Sequence, residues 1–318
     1  MRAVRYHDHG GPEQLLVEDI DRPEPGDGEV LVKVHAASVN PVDTYFLEGS
    51  YEPGALPWIP GSDVAGVVTA VGDDVTAFDP GDRVFATALG NDHPGTCAEY
   101  VVAPTDRVAG LPDRVGFAAG AAVALVGVTA WQSLVARCGM EPGERALIHG
   151  GSGGVGHVAV QIARAAGAQV TTTASPEYHD TLRELGADDV IDYAGEDLTA
   201  TIAAAGAPDV VLDHRLDEYL GLDCEVAAFG GRIAAIGNTD PAATFPNVPG
   251  HRGKALTVHH TSVFNTPDVA RVLRRLAGLM ERGALEPHVA ETYDLRSVRE
   301  AQEAVLDESF LGKLVVEP

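Results

Sequence analysis

The sequence predicts an α/β protein with two domains, one rich in short β-strands and one built on a doubly wound parallel sheet. The chain has 318 residues, which is enough for two hydrophobic cores. Short apolar segments separated by Gly, Pro and Asp fill its first third. Beyond about residue 120, strand-like and helix-like segments alternate, a pattern typical of parallel sheets.

The first part of the chain contains five candidate strands. They span residues 15–20, 30–35, 64–71, 83–88 and 98–103, with turn-forming residues between them. Several short strands at this spacing predict a compact, barrel-like domain.

The second part contains six candidate strands, at residues 146–148, 170–174, 190–193, 210–213, 233–236 and 256–259. An amphipathic helix then starts at Asp268 and ends at Gly283, and a capping box at Ser297 and Glu300 predicts a last helix. An apolar strand at 313–316 closes the chain. We therefore expect one domain from residues 1–120 and 262–318, and another from residues 121–261.

Charge and composition exclude several partners. The chain has 47 acidic and 22 basic residues and a net charge of −25, which repels nucleic acid and anionic membranes. Dispersed acids and few lysines predict a halophilic protein whose self-repulsion is screened by salt. Three cysteines without a C-x-x-C pair predict neither a disulfide framework nor structural zinc. Without a signal-like apolar segment, we expect a cytoplasmic protein.

A glycine-rich loop follows the strand at 146–148. It fits G-x-G-x-x-G, in which the glycines allow a tight turn, close approach of a pyrophosphate, and packing of the next helix on the sheet. The amino end of that helix offers N–H groups to phosphates. The loop predicts a dinucleotide cofactor held by Gly151, Ser152, Gly153, Gly154, Val155 and Gly156.

Position 175 bears on which dinucleotide is bound. It lies 19 residues after Gly156, where NAD-binding units usually carry an acid that binds the ribose hydroxyls. Ser175 is small and neutral, which favours NADPH. No lysine or arginine follows at once and Glu177 is acidic, so NADH remains the alternative.

Motifs along the whole chain carry a family resemblance. They are NPVDTY at 40–45, GSDVAGVV at 61–68, GDRV at 81–84, GVTA at 127–130, the glycine loop, GAD at 186–188, GGR at 230–232 and GKLV at 312–315. As a set they resemble the zinc-independent quinone oxidoreductase (ζ-crystallin-like) family of the medium-chain dehydrogenase/reductase superfamily. The resemblance implies a GroES-like catalytic domain, a Rossmann domain and a homodimer.

The resemblance also bears on metal binding. Zinc-dependent alcohol dehydrogenases of this superfamily place a cysteine at the position of Asn40 and a His-Glu pair at Ser62 and Asp63. They also insert a four-cysteine lobe between the positions of Arg83 and Ala98. Because the thiolate and imidazole ligands are missing here, we expect no metal.

The resemblance implies a set of site residues. Asn40, Asp43, Tyr45 and Tyr51 would surround the nicotinamide and substrate, where an amide or phenol can stabilise a carbonyl oxygen that gains charge. Turn formation and packing are the alternative roles of these four residues. The implied cofactor contacts are Thr129, Ser175, Tyr178, Tyr193, Asn238, Phe264 and Lys313, with Tyr178 where NADPH-specific relatives carry lysine. Arg215, which follows the fourth parallel strand, either replaces a phosphate-binding base or is a surface change.

The resemblance therefore implies an NADPH-dependent reductase that transfers hydride to a small-molecule quinone or enone. One alternative is an enoyl-thioester or 2-alkenal reductase on the same scaffold. Another is a non-enzymatic NADPH-binding protein. The charge of −25 argues against an RNA-binding role for such a protein.

Overall fold

Two β-sheets of different kinds organise the chain in the computed structural model, which describes residues 1–318. A mixed seven-stranded sheet lies in a unit formed by Met1–Leu125 and Pro267–Pro318. A parallel six-stranded sheet lies in a second unit, Val126–Thr266. The predicted α/β fold class, with a β-rich part and a doubly wound part, is confirmed.

The strands and helices are named in chain order. The strands are β1 (Arg2–Arg5), β2 (Leu16–Asp19), β3 (Glu29–Ser38), β4 (Asp63–Val71), β5 (Arg83–Ala86), β6 (Tyr100–Pro104), β7 (Val108–Gly110), β8 (Arg145–Ile148), β9 (Gln169–Thr173), β10 (Asp189–Ile191), β11 (Val210–Asp213), β12 (Arg232–Ala235), β13 (Thr257–His260), β14 (Val289–Asp294) and β15 (Lys313–Glu317). The α-helices are α1 (Pro41–Glu48), α2 (Phe117–Trp131), α3 (Gly154–Ala165), α4 (His179–Glu184), α5 (Leu198–Ala205), α6 (Leu216–Val226), α7 (Val248–Gly253), α8 (Val269–Glu281) and α9 (Val298–Asp307).

The mixed sheet has the order β14-β15-β3-β4-β5-β7, and β6 also pairs with β3. Its neighbours are antiparallel except for the parallel pair β14 and β15. Every predicted strand segment overlaps an observed strand. The strands β1, β7 and β14 have no predicted counterpart. β7 has only three residues, and β14 is exposed along most of its length and lacks an apolar alternation.

The parallel sheet has the order β10-β9-β8-β11-β12-β13. Chain order therefore reverses between β8 and β11, because β9 and β10 lie on one side and β12 and β13 on the other. In doubly wound sheets, ligands bind outside the carboxyl ends of the strands at such a switch point.

The two last helices begin differently. α8 starts as predicted, because the Asp268 carboxylate accepts the N–H of Arg271 at 2.8 Å. The predicted capping box of α9 is wrong, since Ser297 makes no side-chain cap bond. A 3-10 turn precedes α9, and the Asp294 carboxylate satisfies its N–H groups at 2.8 and 3.0 Å.

One helical segment, Phe117–Arg137, is long and apolar enough to cross a membrane by length and composition alone. Within the most apolar 18-residue stretch of this segment, 78% is buried inside the protein. Core helices of ordinary globular proteins pass the same test, and this burial identifies the segment as a core helix.

A buried polar network joins β3, α1, β4 and β15 in the first unit. The Lys313 ammonium donates to the carbonyl of Val39 and to Asn40 Oδ1, the latter at 2.7 Å. Asn40 Nδ2 then donates to Asp63 Oδ2 at 2.8 Å, and Ser38 Oγ donates to the same oxygen at 2.7 Å. The Asn40 amide therefore links a buried cation to a buried acid.

Burial opposes charge throughout this network. It lowers the pKa of Lys313, although Asp63 and Asp43 act in the opposite direction. It raises the pKa of Asp63 and raises that of Asp43 to about 6, despite the hydrogen bond that Asp43 accepts from Ser62. The only ammonium in the network therefore offsets the charge of two acids that water cannot reach.

We predict that Lys313→Met destabilises the protein strongly, because it leaves buried acids without a cation. Removing one member of a buried ionic group costs about 3–5 kcal/mol. Lys33→Met, which removes an exposed lysine from β3, is the matched control and should change the free energy of unfolding by less than about 0.5 kcal/mol. Thermal unfolding of both variants tests this, and equal melting temperatures would contradict it.

Candidate functional site

The glycine-rich loop connects β8 to α3 and needs glycine for steric reasons. Gly150 has a φ of +67°. A Cβ on Gly151 would lie 2.1 Å from Thr172 Oγ1, and one on Gly156 would lie 2.0 Å from the Gly150 carbonyl oxygen. Gly151 therefore lets the loop pass over β9, and Gly156 lets α3 pack against the loop.

The loop presents the amino end of a twelve-residue helix. Gly153 is the N-cap of α3, and the helix starts at Gly154. The first N–H groups of a helix have no partner within it, and the helix dipole makes that end positive. The residues that share this end are Gly151, Ser152, Gly153, Gly154, Val155 and Gly156. This arrangement suits the pyrophosphate of a dinucleotide, and it stands at the switch point of the sheet.

Ser175 and Tyr193 come together beyond the carboxyl ends of β9 and β10. Ser175 Oγ donates to the Tyr193 hydroxyl at 3.4 Å, and half of the Tyr193 surface is exposed. Tyr178 lies in the short 3-10 turn Pro176–Tyr178 that follows Ser175. The pair places two neutral hydroxyls, and no carboxylate, at the end of β9.

The remaining predicted cofactor residues of the second unit lie on separate elements. Thr129 lies in α2 and is 7% exposed. Asn238 follows β12 on the surface and donates to the Asp240 carbonyl at 3.2 Å. Phe264 lies in the 3-10 turn Val263–Asn265 that follows β13. Asn238 and Phe264 thus follow the carboxyl ends of their strands, on the same side as the glycine loop.

Asn40 and Asp43 lie inside the first unit and not on its surface, with exposures of 1% and 2%. Both polar atoms of the Asn40 amide are used by Lys313 and Asp63. The Asp43 carboxylate accepts the backbone N–H of Asn40 at 2.9 Å and Ser62 Oγ–H at 2.7 Å. These bonds fix the amino end of α1. Lys313, placed among the cofactor contacts by resemblance, is 3% exposed and uses its ammonium in the same network.

Tyr45 and Tyr51 lie at the other end of α1 and reach the surface. Their exposures are 38% and 52%, and their rings meet edge to face with centroids 6.0 Å apart. Partial burial raises the pKa of Tyr45, and Tyr51 and Glu48 add to the effect. The Tyr45 phenol therefore stays protonated at neutral pH and can donate a hydrogen bond.

Residue patterns alone miss several buried polar groups. In the sequence, Ser62 and Asp63 stand out only because zinc-dependent relatives carry a His-Glu pair at these positions. In the structure they form hydrogen bonds that anchor Asn40 and Asp43. The sequence patterns assign no function to His149, Asp213 or Asp223. The one available signal is that His149 and Asp213 each stand at the carboxyl end of a parallel strand.

The residues at the superfamily's zinc position do not fit a zinc ion. Asn40 and Ser62 offer an amide and a hydroxyl, and both are bonded to aspartates of the network. No group of three or more His, Cys, Asp or Glu side chains is arranged to hold a metal ion. Zinc in proteins prefers thiolate and imidazole ligands.

Two domain families match the chain. Residues 26–113 match the alcohol dehydrogenase GroES-like domain, and residues 185–316 match the zinc-binding dehydrogenase family. The GroES-like match lies in the unit that contains the mixed sheet.

Curated relatives and solved structures are similar to the chain along its whole length. Human quinone oxidoreductase is 35% identical over 326 residues, covering 99% of this chain and 97% of that protein. A crystal structure of an NAD-dependent alcohol dehydrogenase has 31% identity and a TM-score of 0.92, with 100% of both chains covered. The Escherichia coli quinone oxidoreductase complexed with NADPH has 27% identity and a TM-score of 0.89, also over 100% of both chains. With these similarities along its whole length, the chain belongs to the quinone oxidoreductase family of the medium-chain dehydrogenase/reductase superfamily and is an oxidoreductase.

Proposed function

We propose that the protein is an NADPH-dependent, zinc-independent reductase that transfers a hydride to a quinone or another conjugated carbonyl compound. The observation that carries the proposal is the glycine loop at the switch point of the parallel sheet, where close contacts with Thr172 and Gly150 require glycine at positions 151 and 156 and α3 begins. The similarity to human quinone oxidoreductase supports the substrate class.

The residues of the candidate site fit a nicotinamide dinucleotide. The amino end of α3 would hold the pyrophosphate, and Ser175 with Tyr193 would face the adenosine ribose. Thr129, Asn238 and Phe264 are proposed contacts toward the nicotinamide half, with Tyr178 at the edge of the ribose site. A bound NADPH would supply the hydride, and the protein would position the substrate and polarise its carbonyl group.

Tyr45 is the proposed polarising group. When hydride is added to a conjugated carbonyl, negative charge develops on its oxygen, and a positioned phenol O–H stabilises that charge by donating a hydrogen bond. Tyr51 packs edge to face on Tyr45 and restricts its ring. Asn40 and Asp43 act from within the unit by fixing the amino end of α1.

We predict that Tyr45→Phe lowers kcat/KM for 1,4-naphthoquinone while NADPH affinity stays nearly unchanged. A hydrogen bond to a developing charge contributes roughly 1.5–3 kcal/mol, or about ten- to a hundredfold in rate. Tyr100→Phe removes a hydroxyl from β6 in the same unit and is the matched control. Steady-state kinetics in molar KCl tests this. A change below about twofold for Tyr45→Phe would mean that another group polarises the carbonyl.

Ser175 supports NADPH because it leaves space for a 2′-phosphate and brings no carboxylate to the ribose. We predict that Ser175→Asp weakens NADPH binding and strengthens NADH binding, because the new acid repels the phosphate and accepts the ribose hydroxyls. A combined shift of about tenfold to a hundredfold in the ratio of dissociation constants corresponds to 1.4–2.8 kcal/mol. Ser175→Asn, of similar size without charge, is the control. Tighter NADH binding by the unmodified protein would contradict the NADPH proposal.

We also propose a cytoplasmic homodimer adapted to high salt, without nucleic-acid or membrane partners. β13 ends the parallel sheet and leaves an edge where two copies can pair. The net charge of −25 requires screening before two copies approach.

We predict a light-scattering mass of twice 33.2 kDa in 2 M KCl and dissociation or unfolding in 0.1 M KCl. A single-chain mass at both salt concentrations would contradict the dimer. A folded dimer that is equally stable at both would contradict the salt adaptation.

A further inference from the structure

Three ionisable side chains meet in the dry interior beneath the glycine loop. They are His149, which follows β8, Asp213, which ends β11, and Asp223 of α6. Their exposures are 2%, 0% and 0%. Buried charges are costly, so a cluster of this kind at a switch point calls for a physical role.

A chain of hydrogen bonds connects the loop to this cluster. The Gly150 N–H donates to Thr173 Oγ1 at 3.1 Å, and Thr173 Oγ1 lies 3.4 Å from His149 Nδ1. His149 Nε2 lies 2.8 Å from Asp223 Oδ1. One assignment satisfies both ring nitrogens of His149: the Thr173 hydroxyl donates to Nδ1, and Nε2–H donates to Asp223 Oδ1. His149 is then a neutral imidazole.

The chain of hydrogen bonds continues from the Asp223 carboxyl group to that of Asp213. Asp213 Oδ2 and Asp223 Oδ2 are buried and receive no hydrogen bond from any donor of the protein. A hydrogen bond between the two carboxyl groups satisfies both oxygens, and it requires one proton between them. Asp213 Oδ1 also accepts the N–H of Arg215 at 2.7 Å. Backbone bonds reinforce the same geometry, because the Gly151 N–H donates to the Thr173 carbonyl and the His149 N–H donates to the Leu212 carbonyl.

Packing holds the imidazole in place. The ring of His149 stacks on Tyr219 with centroids 4.4 Å apart and an interplanar angle of 11°. On the other side of the loop, a Cβ on Gly150 would lie 2.8 Å from the His214 ring. The loop is therefore confined between Thr173 and His214, and the imidazole of His149, which directly precedes the loop, is held by Tyr219.

The pKa values of the Asp213 and Asp223 carboxyl groups differ from those of the neighbouring side chains. Burial raises the pKa of Asp223 to about 8, and burial and Asp223 raise that of Asp213 to about 7. Desolvation lowers the pKa of His149 to about 4.

The other groups around the pair are Cys224, Tyr219, His214 and Arg215. Burial raises the pKa of Cys224 to about 11 and raises that of Tyr219. Desolvation, His149 and Arg215 lower the pKa of His214 to about 4, although part of its ring is exposed. Between pH 7 and 9, the titrating group of the cluster is therefore the carboxyl pair.

We propose that His149, Asp223 and Asp213 are positioning residues that hold the glycine loop in its phosphate-binding shape, and that they do so only while the two aspartates share a proton. Loss of that proton places two adjacent negative charges in a dry site, and their repulsion drives the two carboxylates apart and disturbs the hydrogen bonds that they make. The inference rests on the proposed dinucleotide binding at this loop. It concerns the pyrophosphate, so it applies equally to NADPH and NADH.

The experiment measures dissociation constants for NADPH and for NADH by calorimetry between pH 7 and 9 in molar KCl. If only the protonated pair is competent, the apparent dissociation constant should rise about tenfold by pH 9 with either dinucleotide. Asp223→Asn keeps an acceptor for His149 and places an N–H group toward Asp213. This variant should bind both dinucleotides like the unmodified protein at pH 7, and its dissociation constants should not rise at pH 9. Near-UV circular dichroism checks that each protein remains folded.

Glu225→Gln is the matched control, because it removes an exposed acid from the same helix and should follow the unmodified protein. Asp213→Asn is the second variant, with the same expectation as Asp223→Asn. A constant affinity of the unmodified protein across the range, or an equal rise in both Asn variants, would overturn the inference. A rise with NADPH alone would overturn it too, because the 2′-phosphate site would then be responsible. Absence of binding of either dinucleotide at pH 7 would instead reject the proposed function itself.

Discussion

The reversal of chain order between β8 and β11 is the constraint on which the second unit, Val126–Thr266, depends. At this point the connections leave in opposite directions, and the space beyond the strand ends is open to a ligand. The loop after β8 must then turn back over β9 within a few residues. Gly150, Gly151 and Gly156 meet that demand, the first through its positive φ and the others through contacts that exclude a Cβ.

Each unit also contains a buried polar network in which a neutral side chain connects charged or titrating groups. In the first unit the Asn40 amide lies between Lys313 and Asp63. In the second unit the His149 imidazole lies between Thr173 and Asp223. Such networks are costly to bury and stabilise a fold no better than apolar packing would, although removal of one member is destabilising. What they provide here is fixed geometry, for the start of α1 in one unit and for the glycine loop in the other.

Acidic residues therefore have two separate roles in this protein. Most of the 47 acids lie outside the buried core and contribute to the net charge of −25. Asp43, Asp63, Asp213 and Asp223 are instead withdrawn from water, and burial raises the pKa of each. Surface acids respond to ionic strength, whereas these four are shielded from salt and respond to proton concentration.

The amino-acid sequence was enough to predict the fold class, most strands of the mixed and parallel sheets, the glycine loop and the neutral residue after β9. These features follow from apolar periodicity and turn chemistry, which act over a few residues. Contacts between distant parts of the chain, seen only in the folded protein, bring the buried Lys313 to Asn40 and bring Asp223 to His149. Those partners are 273 and 74 residues apart in the chain. No local pattern specifies such pairs, because they form only when the sheets bring distant strand ends together.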